Sequence, residues 1–158
     1  MVTIREATRE DANAVAALAA QLAAHESTHS NFGAKDFLRD GFGAKPAFSC
    51  LVAERDQKIL GFVLFYPGYD LGTAARGMHL SDLVVDEACR GQGIGTALMA
   101  ALAKHTLMQG GKWVSFTVLK HNGAAQQFYQ KLHAAKVAVD FMAWGEQALR
   151  ALVSGVTR

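Results

Sequence analysis

Cysteine is nearly missing from this chain: Cys50 and Cys89 are the only two among 158 residues, too few to staple a fold. Patterned sequence begins at once after Met1, with no secretory layout, so both read as reduced thiols of a cytoplasmic protein. Long apolar runs are missing too. None approaches the ~18 residues of a membrane span, so no membrane partner is expected. Charge of one sign is barely in excess, with 16 Lys and Arg against 14 Asp and Glu, and no basic run points to nucleic acid. Among the histidines only His25 and His29 share a helical spacing, without a third ligand, so no metal site is expected. Repeats, low-complexity tracts and linkers are likewise lacking. What is present is a hydrophobic content of 51% spread evenly along the chain, which fits one globular domain over residues 1–158.

The patterned elements alternate. Residues 2–5 read as a half-buried strand, and Thr8 opens a helix with Asp11 in its first turn, where a capping-box Glu is usual. Ala12, Val15, Ala16, Ala19, Leu22 and Ala23 form the buried stripe of that helix. A short second helix is expected over 35–39, ending before Gly41 and Gly43. Apolar strands follow at 48–55 and 59–66, joined as a hairpin through Asp56-Gln57-Lys58, and then a loop over 67–77. Cys50 falls in an apolar run and reads as core, whereas Cys89 lies in a charged loop as an exposable thiol. Further on come a strand at 113–119, a helix opened by Asn122, a strand at 137–144 and a short helix at 146–153.

The stretch from Leu80 to Gln109 organises the rest. It runs from an apolar strand, 80–85, through Arg90-Gly91-Gln92-Gly93-Ile94-Gly95 into a helix whose stripe is Ile94, Ala97, Leu98, Ala101 and Leu102. His105 continues that stripe as a core or boundary histidine. A glycine turn before a helix offers unpaired N–H donors and a positive dipole end, which suit a phosphate. No Lys-Ser or Lys-Thr follows Gly95, so the turn is not a P-loop; the third glycine comes one residue early for a dinucleotide fingerprint, and 113–120 holds no acid.

The pattern R-x-x-G-x-G between strand and helix resembles the acyl-CoA pyrophosphate loop of the GNAT N-acetyltransferases. The element order agrees with that fold over nearly the whole chain: α/β, with a single central mixed sheet flanked by helices and a splayed central strand. Gly41-Phe42-Gly43 with Pro46, Leu80-Ser81-Asp82, Asn122 and Phe128-Tyr129 are closest in flavour to the diamine and polyamine branch. The resemblance implies acetyl-CoA as cofactor, held by Arg90, Gly91, Gln92, Gly93, Ile94, Gly95 and Thr96 at the pyrophosphate. It also implies that Leu83, Val84 and Val85 bond the pantetheine arm through their main chain. A strand that bonds a ligand must part from its neighbour, so a bulge or splay is expected near Val85. Asn122 and Tyr129, two turns apart on one helix face, are implied to reach the same ligand.

For chemistry, the resemblance makes Tyr129 the acid that stabilises the departing thiolate; spacing alone would read it as core, beside Ala125, Phe128 and Leu132. Asn122 also suits an N-cap. A protonated amine has a pKa of ~10, so a proton must leave at neutral pH. The acidic pair usual in the polyamine branch is Ser81-Asp82 here. Asp82 is the candidate base, or attracts the ammonium, or is a strand-edge carboxylate. Glu26, Asp36, Asp40 and Asp70 lie in segments that line the family's acceptor cleft, interleaved with Lys35, Arg39, Lys45 and Arg76. His79 and His121 flank that cleft. The expectation is acetyl transfer to a small primary amine, diamine-like or amino-acid-like, by direct attack on the thioester. The alternatives are a protein amine as acceptor, or an acyl-CoA sensor without turnover, which Ser81 keeps open. A homodimer through 137–144 or the terminal helix is expected from the apolar character of that stretch.

Overall fold

A computed structural model describes residues 1–155. They form two compact units, one spanning Met1–Leu119 and a second beginning at Lys120.

The first unit is a five-stranded sheet in the order β1-β2-β3-β4-β5, with three helices. Its strands are β1 (Thr3–Glu6), β2 (Ser49–Arg55), β3 (Lys58–Asp70), β4 (Ala75–Val85) and β5 (Trp113–Ser115). The first three junctions are antiparallel and β4–β5 is parallel, so the sheet is mixed as expected. The β2–β3 hairpin closes on Asp56 and Gln57, both with positive φ (51° and 62°), as a type I′ turn requires.

Helices α1 (Ala12–His25) and α2 (Ala34–Phe42) cover one face, where Val15, Leu18 and Phe37 pack with Cys50, Val52, Phe62 and Val84. Strand residues alternate between faces, so Leu51, Val63 and Phe65 point to the other side. There α3 (Ile94–Met108) seats Leu98 and Leu102, both fully buried, and His105 meets the Phe65 ring at 5.0 Å between centroids. His105 is thus the boundary histidine the stripe implied. Burial lifts the Cys50 thiol to about 12, in keeping with core; Cys89 is buried as well, against expectation, because its loop folds it inward at 8% exposure.

Asp11 ties the start of the fold together. Its carboxylate accepts from Arg5 Nη1 and Nη2 (2.7 and 2.9 Å) and from the Thr8 N–H (2.7 Å), which is the capping role foreseen for it. The Arg5 hydrogen bonds, against an opposing effect of burial, hold this carboxyl below its usual range. A folded pKa below the unfolded one contributes stability above the unfolded value and loses it as pH falls through the folded value. Asp11→Asn should therefore cost about 2 kcal/mol at neutral pH, less than the ~3–5 of a fully buried pair because Arg5 is one-third exposed. The gap to the parent should narrow in acid, below the ~3.9 of a free aspartate. Urea unfolding across this range tests it, and a pH-independent deficit would rule out the carboxylate as its source.

The predicted loop 67–77 is instead strand almost throughout, with only 71–74 left as a turn. Pro67, Gly68 and Gly77 read as breakers, but each has a reason to be in the ladder. Pairing of β3 with β2 ends at Phe65, so the missing N–H of Pro67 leaves no partner wanting. Gly68 and Gly77 stand opposite each other under Trp113, and a Cβ on Gly77 would overlap the indole. The β5 strand stops at Ser115 rather than 119, and α2 runs on through Gly41 to Phe42.

In the second unit α4 (Gly123–Lys131) starts on Asn122, whose Oδ1 accepts from Ala125 N–H at 3.1 Å. Its end carries no glycine: Leu132-His133-Ala134-Ala135 follow Lys131. His133 takes the left-handed position (φ 62°), and the His133 and Ala134 N–H groups bond the Gln130 and Tyr129 carbonyls at 2.9 and 3.0 Å. This is a Schellman cap built on histidine. The strand expected at 137–144 does not form. Residues 134–145 have no ladder partner among the described residues, and α5 (Glu146–Val153) follows. An alternating apolar pattern gives a strand only where another strand supplies its hydrogen bonds.

Candidate active site

The site begins where β5 parts from β4. Their pairing covers only Gly77–Trp113, Met78–Val114 and His79–Ser115, while β4 continues to Val85. Beyond His79 the outer edge of β4 has no strand partner among the described residues. The Asp86 N–H bonds Leu60 on the β3 side at 2.8 Å. By alternation Val84 and Asp82 also turn their main chain toward β3, and Leu83 and Val85 turn theirs to the open edge. This splay is the feature the resemblance implied. The bulge, however, is not near Val85. It falls at Ser81, between the pairs Leu64–Asp82 and Phe65–Leu80, on the ladder to β3. The extra residue shifts the alternation, so His79 and Asp82 share the face opposite α3, although an odd spacing normally separates them.

Past Val85 the chain makes the glycine turn. Gly91 and Gly93 both have positive φ (77° and 79°), and Gly93 is the N-cap of α3. The Ala97 N–H bonds the Gly93 carbonyl at 3.0 Å, so the N–H groups of Ile94, Gly95 and Thr96 precede the first helical bond and are available. Apart from the glycine and its chain neighbours, no heavy atom lies within 4 Å of where a Cβ would stand on Gly91 or Gly93. An open turn of backbone donors beside an open strand edge fits a diphosphate joined to an extended amide-bearing arm. Arg90 folds back rather than outward: its Nε donates to the Val85 carbonyl at 3.3 Å, and Nη2 lies 3.7 Å from Glu87 Oε1. Sequence reasoning missed Arg55, whose Nη1 donates to Gln92 Oε1 at 3.1 Å; a residue at the end of a distant hairpin gives no signal in a motif.

On the face opposite α3, Asp82 lines a cavity of about 220 Å³ with Leu64, Leu22, Glu26, Thr28 and Phe32. Ser81 donates to the Asp82 carboxylate at 2.5 Å, so the residue in the place of the expected acid is a hydrogen-bond donor to its neighbour. Of the four other acids, only Glu26 joins Asp82 in that cavity. Asp36 and Asp40 pair with Arg39. Asp70 accepts from Thr73 N–H and hydroxyl, chiefly the hydroxyl, which holds its carboxyl below the usual range. His79 packs between Tyr66 and Trp113 and shares a 2.6 Å hydrogen bond with Ser115. Asn122 and Tyr129 belong to the second unit, where Asn122 is the N-cap and Tyr129 packs edge-on to Phe128 at 5.1 Å. No helix among the described residues is long and apolar enough to cross a membrane.

Residues 12–134 match the model of the Acetyltransferase (GNAT) family. The chain is 34% identical over 141 residues to thialysine N-epsilon-acetyltransferase of Mus musculus, covering 83% of this chain and 82% of that one. It is 33% identical over 135 residues to spermidine/spermine N(1)-acetyltransferase-like protein 1 of Homo sapiens, covering 80% of this chain and 19% of the human protein. Among solved structures, an integron cassette protein from the mobile metagenome of V. cholerae superposes with a TM-score of 0.82 at 20% identity, over 96% of this chain and 97% of that one; it speaks to the fold alone. Given the family match and the length shared with the mouse enzyme, the chain belongs to the GNAT family and is an acetyltransferase.

Proposed function

We propose that the protein transfers an acetyl group from acetyl-CoA to a primary amine of a small, cationic molecule, with both units acting as one domain over 1–158. The observation that carries this reading is the cavity holding Asp82 and Glu26 on the sheet that also bears the open edge of β4. Two carboxylates there suit an acceptor with an ammonium group to be acetylated and a second polar or cationic end. The relatives are named for acetylating thialysine and, by likeness, spermidine or spermine, amines of this kind.

Acetyl-CoA supplies the thioester. Leu83 and Val85 would hold its arm through their main chain, with Val84 packing beneath them, and Gly91 to Thr96 would hold the diphosphate, with Arg90 bracing the turn and Asn122 contributing from α4. Asp82 attracts the ammonium and takes its proton, directly or through water, before the neutral amine attacks. Backbone donors next to the open edge stabilise the oxyanion. Tyr129 donates a hydrogen bond to the departing thiolate. The cytoplasm, whose reducing poise keeps thiols free, suits Cys50 and Cys89. Incubation with acetyl-CoA and a panel of diamines, polyamines and lysine-like amines should release free thiol in an acceptor-dependent way. Binding of acetyl-CoA with no release across the panel would defeat this assignment.

We also propose a homodimer. Val137, Val139, Phe141, Met142 and Trp144 are each at least 71% exposed within eight residues, on backbone without a ladder partner among the described residues. Such a segment has both apolar surface and hydrogen-bonding groups to offer a second copy. Light scattering should give twice the chain mass; a monomer mass independent of concentration would exclude it.

A further inference from the structure

Arg55 ends β2, and its side chain crosses 37 positions of sequence to the glycine turn. Nη1 donates to Gln92 Oε1 at 3.1 Å, and Nη2 stands 4.0 Å from the Sγ of buried Cys89. Gln92 lies between two left-handed glycines, and neither presents a side chain that could pack the turn in place. Two such glycines give the turn more backbone freedom than any other residue pair would. The other braces act upstream of it: Asp86 accepts from Ala88 N–H at 3.0 Å, Arg90 holds the Val85 carbonyl, and Cys89 is sunk in the core. The side chain of Gln92 is therefore the handle on the turn itself, and the hairpin grips it through Arg55.

We infer that Arg55 is a positioning residue for the phosphate turn, acting through Gln92 to keep the Gly91–Gly93 backbone in the form that receives the diphosphate. It rests on the acyl-CoA reading above. Its physical content is preorganisation: a turn already ordered loses less conformational entropy when the ligand binds. Arg suits the task better than Lys because its planar fork reaches Gln92 and Cys89 together.

Calorimetry with CoA, together with ¹⁵N relaxation of the unliganded protein, tests the inference. Arg55→Ala should weaken CoA binding about tenfold, the worth of one charged hydrogen bond. It should also lower the amide order parameters of Gln92 and Gly93 before any ligand is added. Gln92→Ala, at an exposed turn position, should do the same, and it keeps the test available if Arg55→Ala folds poorly. The double variant should bind no more weakly than the weaker single one, because both changes cut the same tie. A double variant weaker by the product of the two effects would mean that Arg55 reaches the phosphate independently, and the inference falls. Unchanged CoA affinity in Arg55→Ala would also overturn it. Failure of the unaltered protein to bind CoA would instead remove the acyl-CoA reading, and the inference with it.

Discussion

Gly93→Val should weaken binding of acetyl-CoA by about 100-fold or more while the protein stays folded. The left-handed φ of Gly93 costs a β-branched residue ~1–3 kcal/mol, an amount a domain of this size tolerates. Apart from the chain neighbours, no protein atom lies within 4 Å of the new Cβ, so the branch point has no overlap to relieve. The side chain instead fills the space over the turn and keeps backbone donors from the diphosphate. Two charge-assisted hydrogen bonds lost at ~1.5 kcal/mol or more each give the expected factor. Gly93→Ala shares the backbone strain with much less bulk, so its smaller loss separates the two causes. Gly95→Val should also impair binding, by crowding the first turn of α3. Near-normal affinity in folded Gly93→Val would show that the diphosphate binds elsewhere.

The second large effect is on the chemical step. Tyr129→Phe should lower the single-turnover rate by about tenfold or more with acetyl-CoA still bound, since general-acid assistance is typically worth ~10²–10⁴. The ring, and with it the edge contact to Phe128, is kept in the variant, so only the hydroxyl is tested. A phenol of pKa ~10 faces a modest uphill step in protonating a thiolate whose acid has pKa ~8.5, so stabilisation by a hydrogen bond suffices. Multiple-turnover rates would hide the effect wherever product release is slower. An unchanged single-turnover rate would return Tyr129 to a packing role.

How much was legible follows from which signals are local. The helix stripe from Ile94, the glycine turn, the Thr8–Asp11 cap and the Asp56–Gln57 hairpin are all written within a few residues, and all are found. The strand through Pro67, Gly68 and Gly77 was not legible, because the two glycines are answered by Trp113, far along the chain, and the proline by the place where β2 ends. The missing strand at 137–144 fails for the converse reason: its alternation is local, but a ladder needs a partner. At the site, Asp82 and the turn could be named from sequence. The Glu26–Asp82 cavity and the Arg55 tether depend on loops and a hairpin meeting in space, which no spacing encodes.

The bulge at Ser81 makes β4 a strand with a reading frame. On one side of it Met78 and Leu80 face α3; on the other Val84 faces α1, and Asp82 shares that second face with His79. Many side chains would serve at position 81, because what matters there is that the residue stays out of the ladder. Removing Ser81 would restore an unbroken ladder and leave every remaining amino acid in place. Pairing Ser81 within the ladder, by contrast, would slide and invert the half-strand behind it, driving His79 into the apolar layer and turning Leu80 out beside the acidic cavity. The separation of pocket from core in this sheet is thus held by which residue the ladder leaves unpaired, and a one-residue slip of register would damage it more than deletion of Ser81.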